Sequence, residues 1–371
     1  MNNGNEMIKQ RALILAFLAY EGGDQEFSKK RMDRCLEHYL PWLGHLITVW
    51  GPAYYRAKRP FQDDKVDSMV FIVKNLDKPT DFYVAIRGTN PLNLFEWIFQ
   101  DFWVGSLIAW SQVPFQGIIP PGEPIGDNPA ISFGANIAST ILLKKLTDPS
   151  SGMDMRTFLE REAQTALTMD QKIAIYLTGH SLGGVLASTT ALFLNENWPT
   201  SNRKPDIFVF SYAGPTAGNQ QFSERFKRIF DNRCQRYGNN LDVVTQVWNR
   251  ASMEKLPILY HPAKIQMPHL LLKVLYDLAI PAIHDKNYTQ SGNYQEVRSK
   301  VVQPFQSYIA QMVFQHLIPY FAEALRLGQP TGVDQLRRLM ESWEIFTTFK
   351  NYEPMADFKH QKLEFFLGLL D

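Results

Sequence analysis

The sequence is short of the residues and runs that mark several large classes of protein. Cysteine occurs twice in 371 residues, at Cys35 and Cys234, which gives neither a disulfide framework nor a cluster with metal-ligand spacing. The 38 lysines and arginines balance 37 aspartates and glutamates without a dense basic run, which argues against nucleic-acid binding and electrostatic membrane anchoring. No apolar run approaches the roughly 18 to 20 residues that span a bilayer. We therefore expect no metal, no cofactor, no nucleic-acid partner and no transmembrane segment.

The apolar stretch at residues 12–20 has the length of a short signal-peptide core and follows two basic residues, Lys9 and Arg11. Residues 21–23 come next without a small-x-small cleavage site, so the pattern favours a structural helix. The lack of a clear signal peptide favours a cytoplasmic location over secretion.

A serine between glycines lies where an apolar strand gives way to a helix. Residues 172–177 have the aliphatic and β-branched pattern of a buried strand, and residues 185–194 are rich in alanine and leucine. Ser181 falls in the turn between them, with Gly179 and Gly183 on either side. A side chain at either glycine would strike the neighbouring strand or helix, so the pattern predicts a nucleophile elbow. The neighbouring His180 is interpreted as a packing residue.

Three blocks of the chain, in this order, resemble the class 3 lipases, the family of fungal-type triacylglycerol lipases and their bacterial and plant relatives. The blocks are residues 82–90 with Trp97 and Asp101 downstream, residues 178–187, and residues 210–219 followed by 239–244. They are similar to the family's strand with its R-G-[ST] oxyanion turn, its elbow, and its G-x-P-x-x-G-N turn with the acid-bearing loop. The resemblance implies an α/β-hydrolase fold, with a mostly parallel central sheet flanked by helices.

The nucleophile needs an acid and a base. A serine hydroxyl is a poor nucleophile at neutral pH, so a neutral imidazole must take its proton and a carboxylate must orient that imidazole. In α/β-hydrolases these groups follow in the order serine, acid, histidine. Asp242 lies in a turn-rich loop downstream of Ser181 and matches the family's acid, so we predict that it orients the base. The alternative is a turn-forming aspartate.

The predicted base is His284, because residues 283–288 resemble the family's H-x-x-x-Y ending, in which a histidine on a loop lies over the serine. Pro281 breaks the preceding apolar run, which would expose such a loop. His261 and His269 are the alternatives. His316 lies in a predicted amphipathic helix and is interpreted as a core or surface residue.

The predicted oxyanion hole combines the backbone N–H of Thr89, in the R-G-[ST] turn, with that of Leu182, which opens the helix after the elbow. The aromatic-rich segment after Thr89 lies where fungal-type relatives carry a lid, so we predict a lid around residues 90–112. Such a flap closes over a cleft in solution and finds another apolar partner at a lipid surface. The alternative is that these aromatic side chains belong to the core.

Together these features predict a lipase-like domain over residues 1–294, with a β-hairpin at residues 68–87, and a helical extension over residues 295–371 packed on it. The predicted function is hydrolysis of carboxylic esters, with triacylglycerol as substrate, through a Ser-His-Asp triad and an acyl-serine intermediate. The expected partner is a lipid or ester substrate at a lipid–water interface. The alternatives are a phospholipase or short-chain esterase on the same triad, and a non-catalytic protein of this fold that binds lipid or a partner.

Overall fold

The computed structural model describes residues 3–21, 29–56, 68–88, 104–117, 125–199, 203–327 and 333–370. The strands, in chain order, are β1 (Leu46–Tyr55), β2 (Ser68–Asn75), β3 (Asp81–Ile86), β4 (Leu107–Ala109), β5 (Ala130–Ser132), β6 (Ala174–His180), β7 (Asp206–Tyr212), β8 (Gly218–Asn219), β9 (Cys234–Gly238), β10 (Tyr288–Thr289) and β11 (Asn293–Glu296). The main sheet has the order β1-β2-β3-β6-β7-β9-β11, and a small sheet has the order β10-β8-β5-β4.

The main sheet is mostly parallel. β1, β2 and β3 pair antiparallel, whereas β3, β6, β7, β9 and β11 pair parallel along the sheet. The β2–β3 pair confirms the hairpin predicted at residues 68–87. β3 is buried along its whole length, as expected for a parallel strand with helices over both faces of its sheet. This is the α/β-hydrolase architecture that the sequence predicts.

Helices cover both faces of the main sheet. In chain order they are α1 (Asn3–Leu18), α2 (Lys29–Tyr39), α3 (Phe133–Lys144), α4 (Met155–Leu167), α5 (Leu182–Glu196), α6 (Gln220–Phe230), α7 (Val243–Gln246), α8 (Arg250–Met253), α9 (His269–Val274), α10 (Ile280–Ile283), α11 (Tyr308–Arg326), α12 (Val333–Ser342), α13 (Glu344–Asn351) and α14 (Leu363–Gly368). A π-helical turn, Leu275–Ala279, joins α9 to α10.

Alternate residues of the sheet bury two separate cores, because successive side chains of a strand point to opposite faces. In β3, Val84 and Ile86 pack in the core that includes α5. Tyr83 and Ala85 pack in the core that includes α1 and α11. The N-terminal and C-terminal helices therefore share one face of the sheet, and the helix that follows the elbow lies on the other.

α1 confirms the structural helix predicted near the start of the chain. Every residue from Ala12 to Tyr20 is at most 3% exposed, because α1 packs against β3, β6 and β7. In the part of the chain that the structure describes, no helix is long and apolar enough to span a membrane.

α11 is the central helix of the C-terminal region. It begins at Tyr308, where the Ser307 side chain accepts a hydrogen bond from the Ala310 N–H and caps the helix. Nearly all of its residues are buried, and it contacts α1 in their shared core. A helix buried on all sides must be apolar all round, and any polar side chain on it needs a specific partner.

The small sheet corrects part of the predicted lid. Residues 107–109 form β4, which pairs with β5, and Trp110 after it is buried with its Nε1 donating to Glu196 at 2.7 Å. The last part of the predicted lid is therefore a short strand and turn that pack Ile108 and Trp110 in this structure, rather than an amphipathic helix. Residues 90–103 of the predicted lid lie outside the described residues.

Candidate active site

The predicted nucleophile elbow joins β6 to α5. Ser181, between His180 and Leu182, has φ 58° and ψ −129°. A backbone with positive φ is unfavourable for a residue that carries a Cβ, and such strain is concentrated at functional sites. Two backbone hydrogen bonds hold the turn: the Ser181 N–H donates to the Tyr212 carbonyl at 2.8 Å, and the Gly184 N–H donates to the Ser181 carbonyl at 2.9 Å. The turn thus fixes the serine at the carboxyl end of β6.

The glycines on either side of Ser181 are there for steric reasons. A Cβ at Gly179 would overlap the backbone of Gly183. A Cβ at Gly183 would overlap the carbonyl oxygen of Ile86 in β3. The close packing of β6, α5 and β3 around the turn therefore requires glycine at both positions.

The two turns that the sequence assigns to the oxyanion hole are in contact. Gly88 follows β3 and packs so closely on the elbow that a Cβ there would overlap the carbonyl oxygen of His180. Leu182 is the first residue of α5, so its N–H has no acceptor within the helix. Thr89, the second predicted donor, lies outside the described residues.

Asp242 is fully buried between β9 and α7 and accepts hydrogen bonds at both carboxylate oxygens. Its Oδ1 accepts from the Val244 N–H at 2.9 Å, which makes Asp242 the N-cap of α7. Its Oδ2 accepts from the Tyr320 hydroxyl at 3.0 Å and lies 2.9 Å from Nδ1 of His316. Burial, reinforced by the Asp242 carboxylate, raises the pKa of Tyr320 well above its usual range, so this hydroxyl remains a donor. The carboxylate is thereby fixed with one oxygen toward His316.

His316 is buried in α11 with its Nδ1 toward Asp242. Because a carboxylate oxygen accepts only, the proton lies on Nδ1 and Nε2 presents a lone pair. Nε2 is buried and has no hydrogen-bond partner among the described residues. Buried polar atoms without a partner are uncommon, and such an atom on an oriented imidazole is what a general base requires.

His284, the base predicted from the sequence, lies elsewhere. It follows α10, is exposed, and lines a surface cavity of about 290 Å³ with Asn249 and Tyr288. Within the described residues, the hydrogen bonds of the Asp242 carboxylate go to His316, Tyr320 and a backbone N–H, not to His284. The two alternative bases that the sequence offered, His261 and His269, are exposed as well.

The exposure of His284 has a physical cause in the apolar stretch before it. This stretch folds into α9, the π-helical turn and α10, which bury one stripe of side chains: Leu271, Leu275, Ala279 and Ile283. His284 comes directly after the last residue of the stripe and is turned outward. The structure therefore does not bring His284 together with Asp242, and it brings His316 to Asp242 instead.

The sequence of α11 itself carries a signal for His316. Gln311, Gln315, His316 and Tyr320 recur at helical spacing in an otherwise apolar helix, and all four are fully buried. Burying these polar groups is costly unless each finds a partner. Gln315, for example, accepts from Asn239 Nδ2 through its Oε1 at 2.8 Å. The polar stripe therefore indicates a helix that faces polar groups of the site, rather than a simple core helix.

The groups brought to this region are a strained serine, a buried carboxylate and an imidazole with an unpartnered lone pair. These are the groups that nucleophilic acyl transfer needs. In the described ranges no three histidine, cysteine, aspartate or glutamate side chains are arranged to hold a metal ion.

Parts of this chain are similar to a lipase family model and to plant phospholipases A1. Residues 83–251 match the family model described as lipase (class 3). Phospholipase A1-II 1 of Oryza sativa subsp. indica is 28% identical over 169 residues, which are 44% of this chain and 38% of that protein. The chloroplastic phospholipase A1-Igamma3 of Arabidopsis thaliana is 45% identical over 155 residues, 39% of this chain and 26% of that protein. The matches thus span well under half the length of these curated relatives.

Among solved structures, the crystal structure of M37 lipase is similar over nearly the whole chain. It covers 94% of this chain and 98% of its own, with a TM-score of 0.73 and 26% identity. A match over 94% of the chain extends well beyond residues 83–251, the segment that the family model matches.

Proposed function

We propose that this chain, whose residues 83–251 match the class 3 lipase model, is a member of that family and hydrolyses carboxylic esters of lipids through a covalent acyl-serine. The observation that carries the proposal is the buried pair of Asp242 and His316, whose Nε2 has no partner among the described residues. The strained elbow at Ser181 supports it, because the turn supplies a fixed nucleophile. The names of the curated relatives and of M37 lipase support a lipid ester as the substrate class.

In the proposed first step, Ser181 Oγ attacks the ester carbonyl carbon, and the hydroxyl proton passes to Nε2 of His316. Asp242 keeps the other imidazole proton on Nδ1 and stabilises the imidazolium that forms. The imidazolium then donates its Nε2 proton to the departing alcohol oxygen, which leaves an acyl ester on Ser181. His316 takes the role predicted for His284, because it is the histidine that Asp242 contacts.

The second step repeats the same chemistry with water. His316, neutral again, takes a proton from a water molecule that attacks the acyl carbonyl carbon. The acyl–oxygen bond to Ser181 breaks, and the serine oxygen recovers a proton from Nε2. The products are a carboxylic acid and the free enzyme.

In both steps the carbonyl oxygen becomes an oxyanion, and we assign its stabilisation to the N–H groups of Leu182 and Thr89. The contact between Gly88 and the elbow supports this assignment, because it brings the turn that leads to Thr89 beside α5. The positive end of the α5 dipole adds to the stabilisation. Loss of one such donor costs about a hundredfold to a thousandfold in kcat in serine hydrolases.

The sequence resemblance favours triacylglycerol as the substrate. A phospholipid is the second candidate, and the printed names of the curated relatives favour it. The two differ in the third position of the glycerol, which carries an acyl chain in one and a charged headgroup in the other. Release of fatty acid from emulsified triacylglycerol and from diacylphospholipid vesicles, with the Ser181→Ala variant as blank, distinguishes them.

The experiment that tests the proposal is covalent labelling with an alkyl fluorophosphonate, which reacts with an activated serine. We expect one label on the wild type and none on Ser181→Ala. Ser188→Ala is the matched control, because Ser188 is also a buried serine of this region but its hydroxyl donates to the Gly184 carbonyl of its own helix. A wild-type protein that takes no label would favour the non-catalytic alternative, a lipid-binding protein of the same fold.

A further inference from the structure

Tyr20 and His180 form a buried polar pair that the proposed reaction does not use. The Tyr20 hydroxyl lies 3.1 Å from Nδ1 of His180 and 3.2 Å from the carbonyl oxygen of the same residue. On the other side, Nε2 of His180 lies 2.9 Å from the main-chain carbonyl oxygen of His316. The pair therefore connects the turn after α1 and the residue before Ser181 to the backbone of the proposed base.

The hydrogen bonds define the protonation of His180. A carbonyl oxygen accepts only, so Nε2 of His180 carries the proton and donates to His316, and Nδ1 is left to accept from the Tyr20 hydroxyl. Burial lowers the pKa of His180 well below its usual range, and the neighbouring His316 lowers it further. Burial raises the pKa of Tyr20 well above its usual range. Both groups are thus neutral, in the forms that these hydrogen bonds need.

Tyr20 also holds the turn after β3. Gly88 packs so closely on Tyr20 that a Cβ there would overlap the Tyr20 hydroxyl, and Nη1 of Arg87 donates to the Tyr20 carbonyl at 3.0 Å. Gly88 directly precedes Thr89, the proposed oxyanion donor. One buried hydroxyl therefore contacts the oxyanion turn and the elbow, and reaches α11 through His180.

The ring of His180 also packs directly on the ring of the proposed base. The centroids of His180 and His316 are 4.5 Å apart, and Phe17 of α1 lies 4.9 Å from His180. A positive charge on His180 at this distance would oppose the imidazolium that forms on His316 during the reaction. A neutral, fixed His180 instead supports the base by contact and by the hydrogen bond to its backbone.

We propose that His180 and Tyr20 are positioning residues for the catalytic groups. His180 holds the backbone of His316 so that its Nε2 stays aligned with Ser181, and Tyr20 holds His180 together with the turn that leads to Thr89. The proposal rests on the proposed function, because the alignment matters only if Ser181 and His316 react. A displacement of about 1 Å in such a site costs on the order of a hundredfold in rate.

The test measures kcat, KM and the rate of fluorophosphonate labelling for three variants of the full chain. Tyr20→Phe removes one hydroxyl and keeps the ring. His180→Gln keeps an amide N–H that can reach the His316 carbonyl, whereas His180→Leu keeps no donor. We expect kcat and the labelling rate to fall about tenfold in Tyr20→Phe and His180→Gln and about a hundredfold in His180→Leu, with KM within about twofold of wild type.

Tyr212→Phe is the matched control for a merely structural effect. The Tyr212 hydroxyl is also buried and also joins the sheet to α1, since it donates to the Lys9 carbonyl at 3.1 Å, but it contacts neither His180 nor His316 through a hydrogen bond among the described residues. We expect Tyr212→Phe to lower Tm as much as Tyr20→Phe does while it keeps kcat within about twofold. The substitution removes a buried hydrogen bond that involves neither His180 nor His316, and it leaves the Tyr212 carbonyl in place to accept from the Ser181 N–H.

The outcomes separate the two proposals. A wild-type protein that is not labelled at all overturns the proposed function and this inference with it. A labelled wild type with His180→Leu and Tyr20→Phe labelled at the wild-type rate overturns the positioning role alone. A kcat that falls equally in Tyr20→Phe and Tyr212→Phe, in step with Tm, also overturns it. Partial rescue in His180→Gln relative to His180→Leu supports the role of the bond to His316.

Discussion

Pro319 lies four residues after Gln315 in α11, and the carbonyl of Gln315 accepts a hydrogen bond from Asn239 Nδ2 at 3.0 Å. A proline has no N–H, so the carbonyl four residues before it has no donor within the helix. Asn239 comes from the loop that carries Asp242 and supplies the missing donor. Pro319 thus leaves the carbonyl of Gln315, one residue before His316, free of a helical hydrogen bond. Asn239, in the loop that carries Asp242, donates to this carbonyl instead.

This relationship predicts the effect of Pro319→Ala. The new N–H can bond to the Gln315 carbonyl, and Asn239 then loses one of its two acceptors on Gln315. We expect His316 to shift relative to Asp242. Because a small displacement of a catalytic group lowers the rate strongly, kcat should fall about tenfold. The free energy of unfolding should change by less than about 1 kcal/mol, because the added helical bond and the helix preference of alanine offset the lost packing. Urea unfolding and steady-state kinetics measure both, and an unchanged kcat would contradict the alignment argument.

The fold and the strained turn at Ser181 could be predicted because their signals are local. Ser181 lies between a strand and a helix that each carry their own periodicity, and the glycines beside it follow from sterics within a few residues. The hairpin of β2 and β3 and the buried helix α1 were predictable for the same reason. Asp242, the proposed acid, was predicted from a loop that the family resemblance covers, and the structure buries Asp242 in that loop.

The partner of Asp242 could not be predicted in this way because the pairing is long-range. His316 is 74 residues beyond Asp242 in the chain and lies in a helix outside the resemblance. His284 offered a local motif, but local motifs do not show which face of the preceding helices is buried. Only the packing of α11 against α1 and the sheet brings His316 to the acid. In the sequence, this pairing is indicated only by the polar residues Gln315, His316 and Tyr320 in an otherwise apolar helix.

The choice between the two histidines is directly testable. We expect His316→Ala to lower kcat about a thousandfold or more, because the general base is lost. His284→Ala should change kcat by less than about twofold, since an exposed side chain outside the site has little effect. Circular dichroism of both variants serves as the control for folding. If His284→Ala lost activity and His316→Ala kept it, the assignment of the base would have to return to His284.

The elbow glycines give a prediction about stability. Gly179→Ala would push a Cβ into the backbone of Gly183, so we expect a loss of about 3 kcal/mol in the free energy of unfolding together with loss of activity. Gly368→Ala is the control, because nothing lies within 4 Å of a Cβ at that position, and it should stay within about 0.5 kcal/mol. Chemical denaturation measures the free energy of unfolding of the two variants. Equal values would contradict the prediction, because they would mean that the turn shifts to accommodate the Cβ at little cost.

The buried neutral His180 predicts how stability depends on pH. Burial lowers the pKa of His180 in the folded protein, whereas in the unfolded chain it returns to about 6.5. Below that pH the unfolded chain binds one proton more than the folded one, so this contribution to stability is complete above about pH 6.5 and is lost as the pH falls. We expect the free energy of unfolding of the wild type, relative to His180→Gln, to decline by up to about 1.4 kcal/mol per pH unit between about pH 6.5 and pH 5. Urea unfolding of both proteins at pH 7.5, 6.5, 5.5 and 5.0 measures the difference, in which the titration of the shared carboxylates cancels. A difference that stays constant across this series would mean that His180 is accessible to protons in the folded state, and that its neutral form is not enforced by burial.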